Sequence, residues 1–151
     1  MVSKKHIIVG FIFLVFLLGY FYPKKPSLNL YNVIKNENIE DLRLTIYYAG
    51  PNFFNLVAWK VDDLINADQT RKIVINGSEL KNHIDLFKQI SDEDLIPVWK
   101  KSPYMDAKVY YVLESKKSGK LLDVAMWGVV GDSGTIFVNG YEVKENEFFI
   151  M

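Results

Sequence analysis

The chain has 151 residues, of which half are hydrophobic and 15% are aromatic, a composition too apolar for a disordered stalk. Acidic and basic residues balance at 18 each, but four of the basic residues flank the N-terminal segment, so that 14 basic residues stand against 18 acidic ones from Leu28 onward. The resulting net charge of about −4 disfavours a nucleic-acid partner, because phosphate binding needs clustered basic side chains. Cysteine is absent, which excludes disulfides and a lipid-modified cysteine.

The N-terminal segment from Ile7 to Tyr22 is uncharged and apolar, with Lys4-Lys5 before it and Lys24-Lys25 after it. At about 1.5 Å per residue a helix of this length covers about 24 Å, against a hydrocarbon core of about 30 Å. Lysine stems that reach the headgroups make up the difference. The pattern predicts a transmembrane signal-anchor through which the chain contacts the membrane.

A cleaved signal peptide and a buried helix of a soluble domain are the alternatives for this segment. Cleavage requires small residues at the exit, whereas Tyr20-Phe21-Tyr22-Pro23 stands there and the first alanine is Ala49. The flanking lysines nearly cancel in the positive-inside count, so the orientation rests on the layout of a signal-like start followed by one long hydrophilic part. We expect a single-pass cell-membrane protein with a cytoplasmic N-terminus and its C-terminal domain outside.

The domain organisation predicted from these features has three parts. Residues 1–22 form the anchor, residues 23–38 form a linker with prolines at Pro23 and Pro26, and residues 39–151 form one small soluble domain.

Alternation of apolar and polar residues predicts several strands in the soluble domain. The clearest runs are Leu42 to Tyr48, Val109 to Leu113 and Leu121 to Met126, and Ile73-Val74-Ile75 predicts a short further strand. The turn Lys116 to Gly119 predicts one hairpin. Asn139-Gly140, between Thr135 to Val138 and Tyr141 to Val143, predicts another with a type I′ turn.

Two segments show helical spacing. Val61, Leu64 and Ile65 predict a short helix behind Asp62-Asp63. From Glu79 to Ile90 the apolar residues recur at helical intervals, and Ser78 is placed to cap that helix. The fold class predicted is therefore α+β: one N-terminal transmembrane helix followed by a small domain with an antiparallel sheet and one main packed helix.

The segment Gly131-Asp132-Ser133-Gly134 resembles the sequence around the nucleophilic serine of trypsin-like proteases, and His83 lies upstream as in that family. The resemblance covers four residues. Thr135 stands where the family continues with glycine, and the domain is too short for two barrels. We interpret the segment as an interstrand turn and predict no catalytic residue.

No cofactor or metal site is predicted. The acidic clusters Asp92-Glu93-Asp94 and Asp62-Asp63 lack the alternating oxygen ligands of a calcium loop and suit the first turns of helices. His83 has no second histidine or cysteine in the domain to complete a metal site.

Trp99 and Tyr104 lie between two prolines in a predicted loop, which makes them the candidate contacts for a partner. The leading functional hypothesis is a non-enzymatic, membrane-anchored domain that binds a protein or an envelope component. The alternative is a membrane-anchored hydrolase that uses carboxylates such as Asp92, Asp94 or Asp132 as general acid and base. A subunit that pairs through the membrane span has little support, because Gly10 and Gly19 do not have the spacing of close helix pairing.

Overall fold

The structure is a computed structural model that describes residues 30–50, 57–88, 90–91, 95–98, 106–127 and 134–144. Within these ranges the chain forms a small domain with a six-stranded antiparallel sheet and few helices. The helices are α1 (Leu30–Lys35), α2 (Val61–Asn66), α3 (Gly77–Leu80) and α4 (Ile84–Lys88), with a 3₁₀ helix at Ile39–Asp41. The strands are β1 (Leu42–Tyr48), β2 (Arg71–Asn76), β3 (Val109–Ser115), β4 (Gly119–Trp127), β5 (Thr135–Val138) and β6 (Tyr141–Val143).

The six strands follow the order β2-β1-β3-β4-β5-β6, and every neighbouring pair is antiparallel. Both predicted hairpins are confirmed. In the β5–β6 turn Asn139 has φ of 48° and Gly140 has φ of 78°, the left-handed conformation that a type I′ turn needs at both central positions. The Asn139 side chain also accepts a hydrogen bond of 2.9 Å from the backbone of Asp123, which joins this turn to β4.

One face of the sheet carries the main hydrophobic core. Every strand except the half-exposed β2 contributes residues that are at most 6% exposed, and the helices α1, α3 and α4 pack over them. Leu42, Leu44, Leu113, Leu122 and Val138 are among these residues. The period-two pattern predicted for β1 is thus confirmed on this face.

The opposite face of the sheet carries a second, smaller cluster. Leu64 of α2 is fully buried there against Tyr47 and Tyr110, whose rings stack with centroids 6.1 Å apart. This cluster explains a departure from simple alternation in β1: Tyr47 is half-buried on the side that the sequence pattern assigns to solvent.

The single helix predicted from Glu79 to Ile90 is wrong. The structure has two short helices, α3 and α4, separated by an exposed turn at residues 81–83. In this turn His83 N donates to Leu80 O at 2.9 Å. This bond spans three residues, as in a 3₁₀ helix, whereas the bonds of an α-helix span four. The apolar stripe survives the break, because Leu80 and Ile84 are both buried in the main core.

The start of α3 also differs from the prediction. The helix begins at Gly77, so that Asn76 rather than Ser78 occupies the N-cap position. The backbone of the 3₁₀ helix passes very close: a β-carbon at Gly77 would lie 2.5 Å from Glu40 Cα and 2.6 Å from Ile39 O. This close approach ties the start of α3 to the segment before β1.

Part of the predicted linker at residues 23–38 forms the helix α1. Ile34 of this helix is 4% exposed and belongs to the main core. The predicted linker at residues 23–38 therefore overlaps a helix that packs on the domain, from residue 30 onward.

The predicted anchor, Ile7 to Tyr22, lies outside the described residues. Among the helices that the structure does describe, none is both long and apolar enough to cross a bilayer.

Candidate functional site

The residues that the sequence singles out for function fall mainly outside the described ranges. This holds for the candidate partner contacts Trp99 and Tyr104. It also holds for Asp92, Asp94, Asp132 and Ser133. His83 is described, and it lies exposed in the turn between α3 and α4.

Asp62 and Asp63 lie in the first turn of α2. The Asp63 carboxylate accepts a hydrogen bond of 2.9 Å from Lys60 N, the residue before the helix, and Asn66 Nδ2 donates to Asp62 O at 2.8 Å. Across the described ranges no three histidine or acidic side chains come together in a way that could hold a metal ion.

A polar hollow of about 340 Å³ opens at one end of the sheet, where β1 begins and where β2 and β3 end. It is lined by Glu40, Asp41, Leu42, Arg43, Asn76, Glu114, Ser115 and Lys116. Four of the five charged residues that line it form two ion pairs: Arg43 contacts Glu114 at 2.8 Å, and Lys116 contacts Asp41 at 3.6 Å. The bond to Glu114 also raises the pKa of Arg43. Glu40 adds one negative charge to these pairs, so the lining has no cluster of like charges for a charged ligand.

Beside this hollow, Glu37 holds the turn between β3 and β4. Its carboxylate accepts hydrogen bonds from the hydroxyls of Ser115 and Ser118. These bonds lower the pKa of Glu37 below its ordinary value of 4.5, so the carboxylate is ionised at neutral pH. The ionised Glu37 thus connects the segment after α1 to the β3–β4 turn. An ionised carboxylate carries no proton to donate, so Glu37 is a poor general acid.

On the second face of the sheet, Tyr110 lies next to Asp123, whose carboxylate pairs with Lys120. Burial, and then the negative charge of Asp123, raise the pKa of Tyr110 to about 12. The phenol therefore stays protonated at neutral pH and is not available as a base.

The two edges of the sheet differ in how they are covered. At the β6 edge, the segment 95–98 forms a bridge between Pro97 and Val143. Two further backbone bonds flank the bridge, from Val98 N to Glu142 O at 3.2 Å and from Lys144 N to Ile96 O at 2.7 Å. At the opposite edge, β2 pairs with β1 on one side, and no other described strand pairs with it.

Strand β2, with which no other described strand pairs on its outer side, exposes two apolar side chains. Ile73 is 51% exposed and Val74 is 41% exposed, although β-branched residues of this size are usually buried. In an antiparallel sheet the N–H and C=O groups of successive residues point alternately to the two sides, so about half of those in β2 are directed away from β1. A strand edge whose outward groups are paired by no other described strand is a template for pairing with another chain.

The charge of β2 is opposite to that of the domain. Arg71 and Lys72 begin the strand and are exposed, whereas the soluble part as a whole carries about −4. The Lys72 ammonium lies 5.4 Å from the centroid of the Tyr47 ring, over the neighbouring strand β1. Lys72 is therefore held on the sheet and does not block the open edge.

The edge position of β2 is the feature of the candidate site that the sequence analysis did not identify. Ile73-Val74-Ile75 is a visible strand signal, but nothing in those residues says whether they occupy the centre or the edge of the sheet. The neighbouring Arg71-Lys72 is the available hint, because charged residues are enriched on edge strands.

Comparison with known proteins gives no match. No protein-family model fits the chain, and no curated protein and no solved structure is significantly similar to it.

Proposed function

We propose that this chain is a membrane-anchored, single-pass protein whose domain lies outside the cell and binds a partner through the edge strand β2. The observation that carries the binding role is the exposed, one-sided pairing of β2, with Ile73 and Val74 uncovered. The uncharged run from Ile7 to Tyr22 supports the anchor, and the layout of the chain supports the orientation.

The hydrolase alternative stays a prediction. Its carboxylates Asp92, Asp94 and Asp132 lie outside the described residues. In the described part, Glu114 and Asp41 of the polar hollow form ion pairs with Arg43 and Lys116. No observation on the described residues favours the hydrolase over the binding role.

The location is tested by cysteine labelling, since the chain has no cysteine of its own. Lys117 is exposed in the β3–β4 turn and suits this purpose better than Ser118, whose hydroxyl contacts Glu37. In intact cells we expect a membrane-impermeant maleimide to label Lys117→Cys rapidly and to leave Ser3→Cys, before the anchor, unlabelled.

Two controls accompany this experiment. Leu122 is fully buried, so Leu122→Cys should react only after denaturation and shows that labelling reports exposure. After lysis both Lys117→Cys and Ser3→Cys should react. Labelling of Ser3→Cys with protection of Lys117→Cys in intact cells would invert the orientation, and labelling of neither would place both ends inside.

The binding role is tested with a neutral ten-residue peptide that alternates valine and threonine, added to the full chain in detergent. We expect the peptide to slow hydrogen exchange at the outward-facing amides of β2, because strand addition forms new backbone bonds there. The β6 edge, already bridged at Pro97, is the internal control and should not change. Unchanged exchange at β2 at millimolar concentrations of this neutral peptide would refute a binding role for this edge that is independent of the partner's sequence.

A further inference from the structure

Building on the proposed function, we infer that β2 accepts an extended, acidic segment of a partner protein as a seventh strand of the sheet. The basic residues at the start of β2, and the exposed apolar side chains on both of its faces, indicate this class of partner.

The shape of the site calls for an extended partner. β2 has six residues, which span about 20 Å, the length of an ordinary strand. Its side chains alternate between the faces: Ile73 lies opposite Ile46 on the side of the main core, and Val74 lies opposite Thr45 on the other side. A strand added at this edge would cover both exposed side chains at once, whereas a helix or a flat surface would cover one face and leave the outward backbone groups unpaired.

The charge of the site calls for an acidic partner. Arg71 and Lys72 point to opposite faces at the start of β2, because successive side chains of a strand alternate. Acidic residues at adjacent positions of an added strand would therefore find a cation on each face, and directly opposed charges of unlike sign stabilise a strand pair.

The same charges disfavour a second copy of this chain as the occupant. In a two-fold antiparallel pair of β2 strands in full register, Arg71 would lie opposite Asn76 of the other copy and Lys72 opposite its Ile75. The strand contains no acidic residue. A second copy therefore offers neither cation the directly opposed acidic side chain that stabilises a strand pair.

The test compares three peptides on the full chain in detergent, with affinity measured by fluorescence anisotropy and the site mapped by hydrogen exchange. The neutral peptide alternates valine and threonine. The acidic and basic peptides carry two adjacent glutamates or two adjacent lysines in the same frame. We expect the acidic peptide to bind about fivefold tighter than the neutral one, the basic peptide to bind more weakly, and both differences to shrink in 0.5 M salt.

A charge reversal on the protein supplies the matched control. Arg71→Glu should remove the advantage of the acidic peptide and improve binding of the basic one. Lys144→Glu makes the same change of charge at the opposite edge of the sheet, where Lys144 is exposed, and should leave the order of the three peptides unchanged.

The other outcomes would contradict the acidic class of partner, the binding role of β2 or the choice of occupant. Equal binding of all three peptides at β2 would overturn the acidic class and leave the binding role standing. Absence of protection by any peptide would overturn both. A concentration-dependent dimer that protects the β2 amides without peptide would make a second copy the occupant. The cysteine labelling is independent of all of these results, so an error in the location is recognised separately.

Discussion

At the scale of single residues, hydrogen-bonded side chains hold together segments that are distant in the sequence. Glu37, after α1, accepts hydrogen bonds from Ser115 and Ser118, about eighty positions later in the chain. Ser115 in turn accepts from the backbone of Lys117 and Ser118 at 3.1 and 3.3 Å, which shapes the turn after β3. The sequence shows a serine- and lysine-rich turn, but it gives no sign of the carboxylate that binds it.

The contact of Glu37 predicts a pH-dependent contribution to stability. Because the folded state lowers the pKa of Glu37 below 4.5, the contribution is present above about pH 4.5 and is lost as the pH falls below that value. In urea denaturation, Glu37→Gln should lower the midpoint at pH 7, and the difference from the unmodified chain should shrink by pH 3.

Glu40→Gln is the matched control for this prediction, because the Glu40 side chain is exposed on the 3₁₀ helix that follows. It should leave the midpoint nearly unchanged at both pH values. If Glu37→Gln lowered the midpoint equally at pH 7 and at pH 3, the ionised carboxylate would not be the stabilising form.

At the scale of secondary-structure elements, local signals identified the strands and hairpins, while the main helix was misjudged. The two-residue turn at Asn139-Gly140 needs only its own residues, because both adopt the left-handed conformation. The break between α3 and α4 depends instead on distant parts of the fold. Gly77 lies against the backbone of Ile39 and Glu40, which fixes the start of α3, and α4 packs against α1.

The apolar residues on both sides of the break are buried in the main core, so we predict that truncating one of them destabilises the domain. Leu80 is fully buried, so Leu80→Ala should lower the free energy of unfolding by about 2–5 kcal/mol. The next residue, Lys81, is exposed in the turn, and Lys81→Ala should change the free energy by less than about 0.5 kcal/mol.

Both variants are measured by chemical denaturation of the full chain in the same detergent, with circular dichroism of the sheet as the signal. A loss below about 1 kcal/mol for Leu80→Ala would mean that α3 does not pack on the core as described.

For the domain as a whole, the proposed binding role depends on the difference between the two edges of the sheet. One edge is bridged by residues 95–98, and the other is an apolar strand with basic residues at its start. Proteins commonly protect open edges with charged side chains, yet Lys72 lies over Tyr47, and Ile73 and Val74 remain exposed. The proposed membrane anchor would hold this edge at the surface where a membrane-bound partner would meet it.

The candidate site was predictable in part. The strand at Ile73-Val74-Ile75 was recognised from its β-branched residues, but its position at the edge was not, because that position depends on which strand pairs with β1. The partner contacts expected at Trp99 and Tyr104 lie outside the described residues and stay predictions.

The strands of the domain, its two hairpins, the short helix α2 and the acidic charge of the soluble part could all be predicted from the sequence. These features depend on periodicity, on turn chemistry and on composition, which are local or additive properties of the chain. The order of the strands, the break in the predicted helix, the packing of α1 and the exposure of β2 became visible in the folded domain alone. Each of these depends on contacts between residues that are far apart in the sequence, and a local pattern carries no information about such contacts.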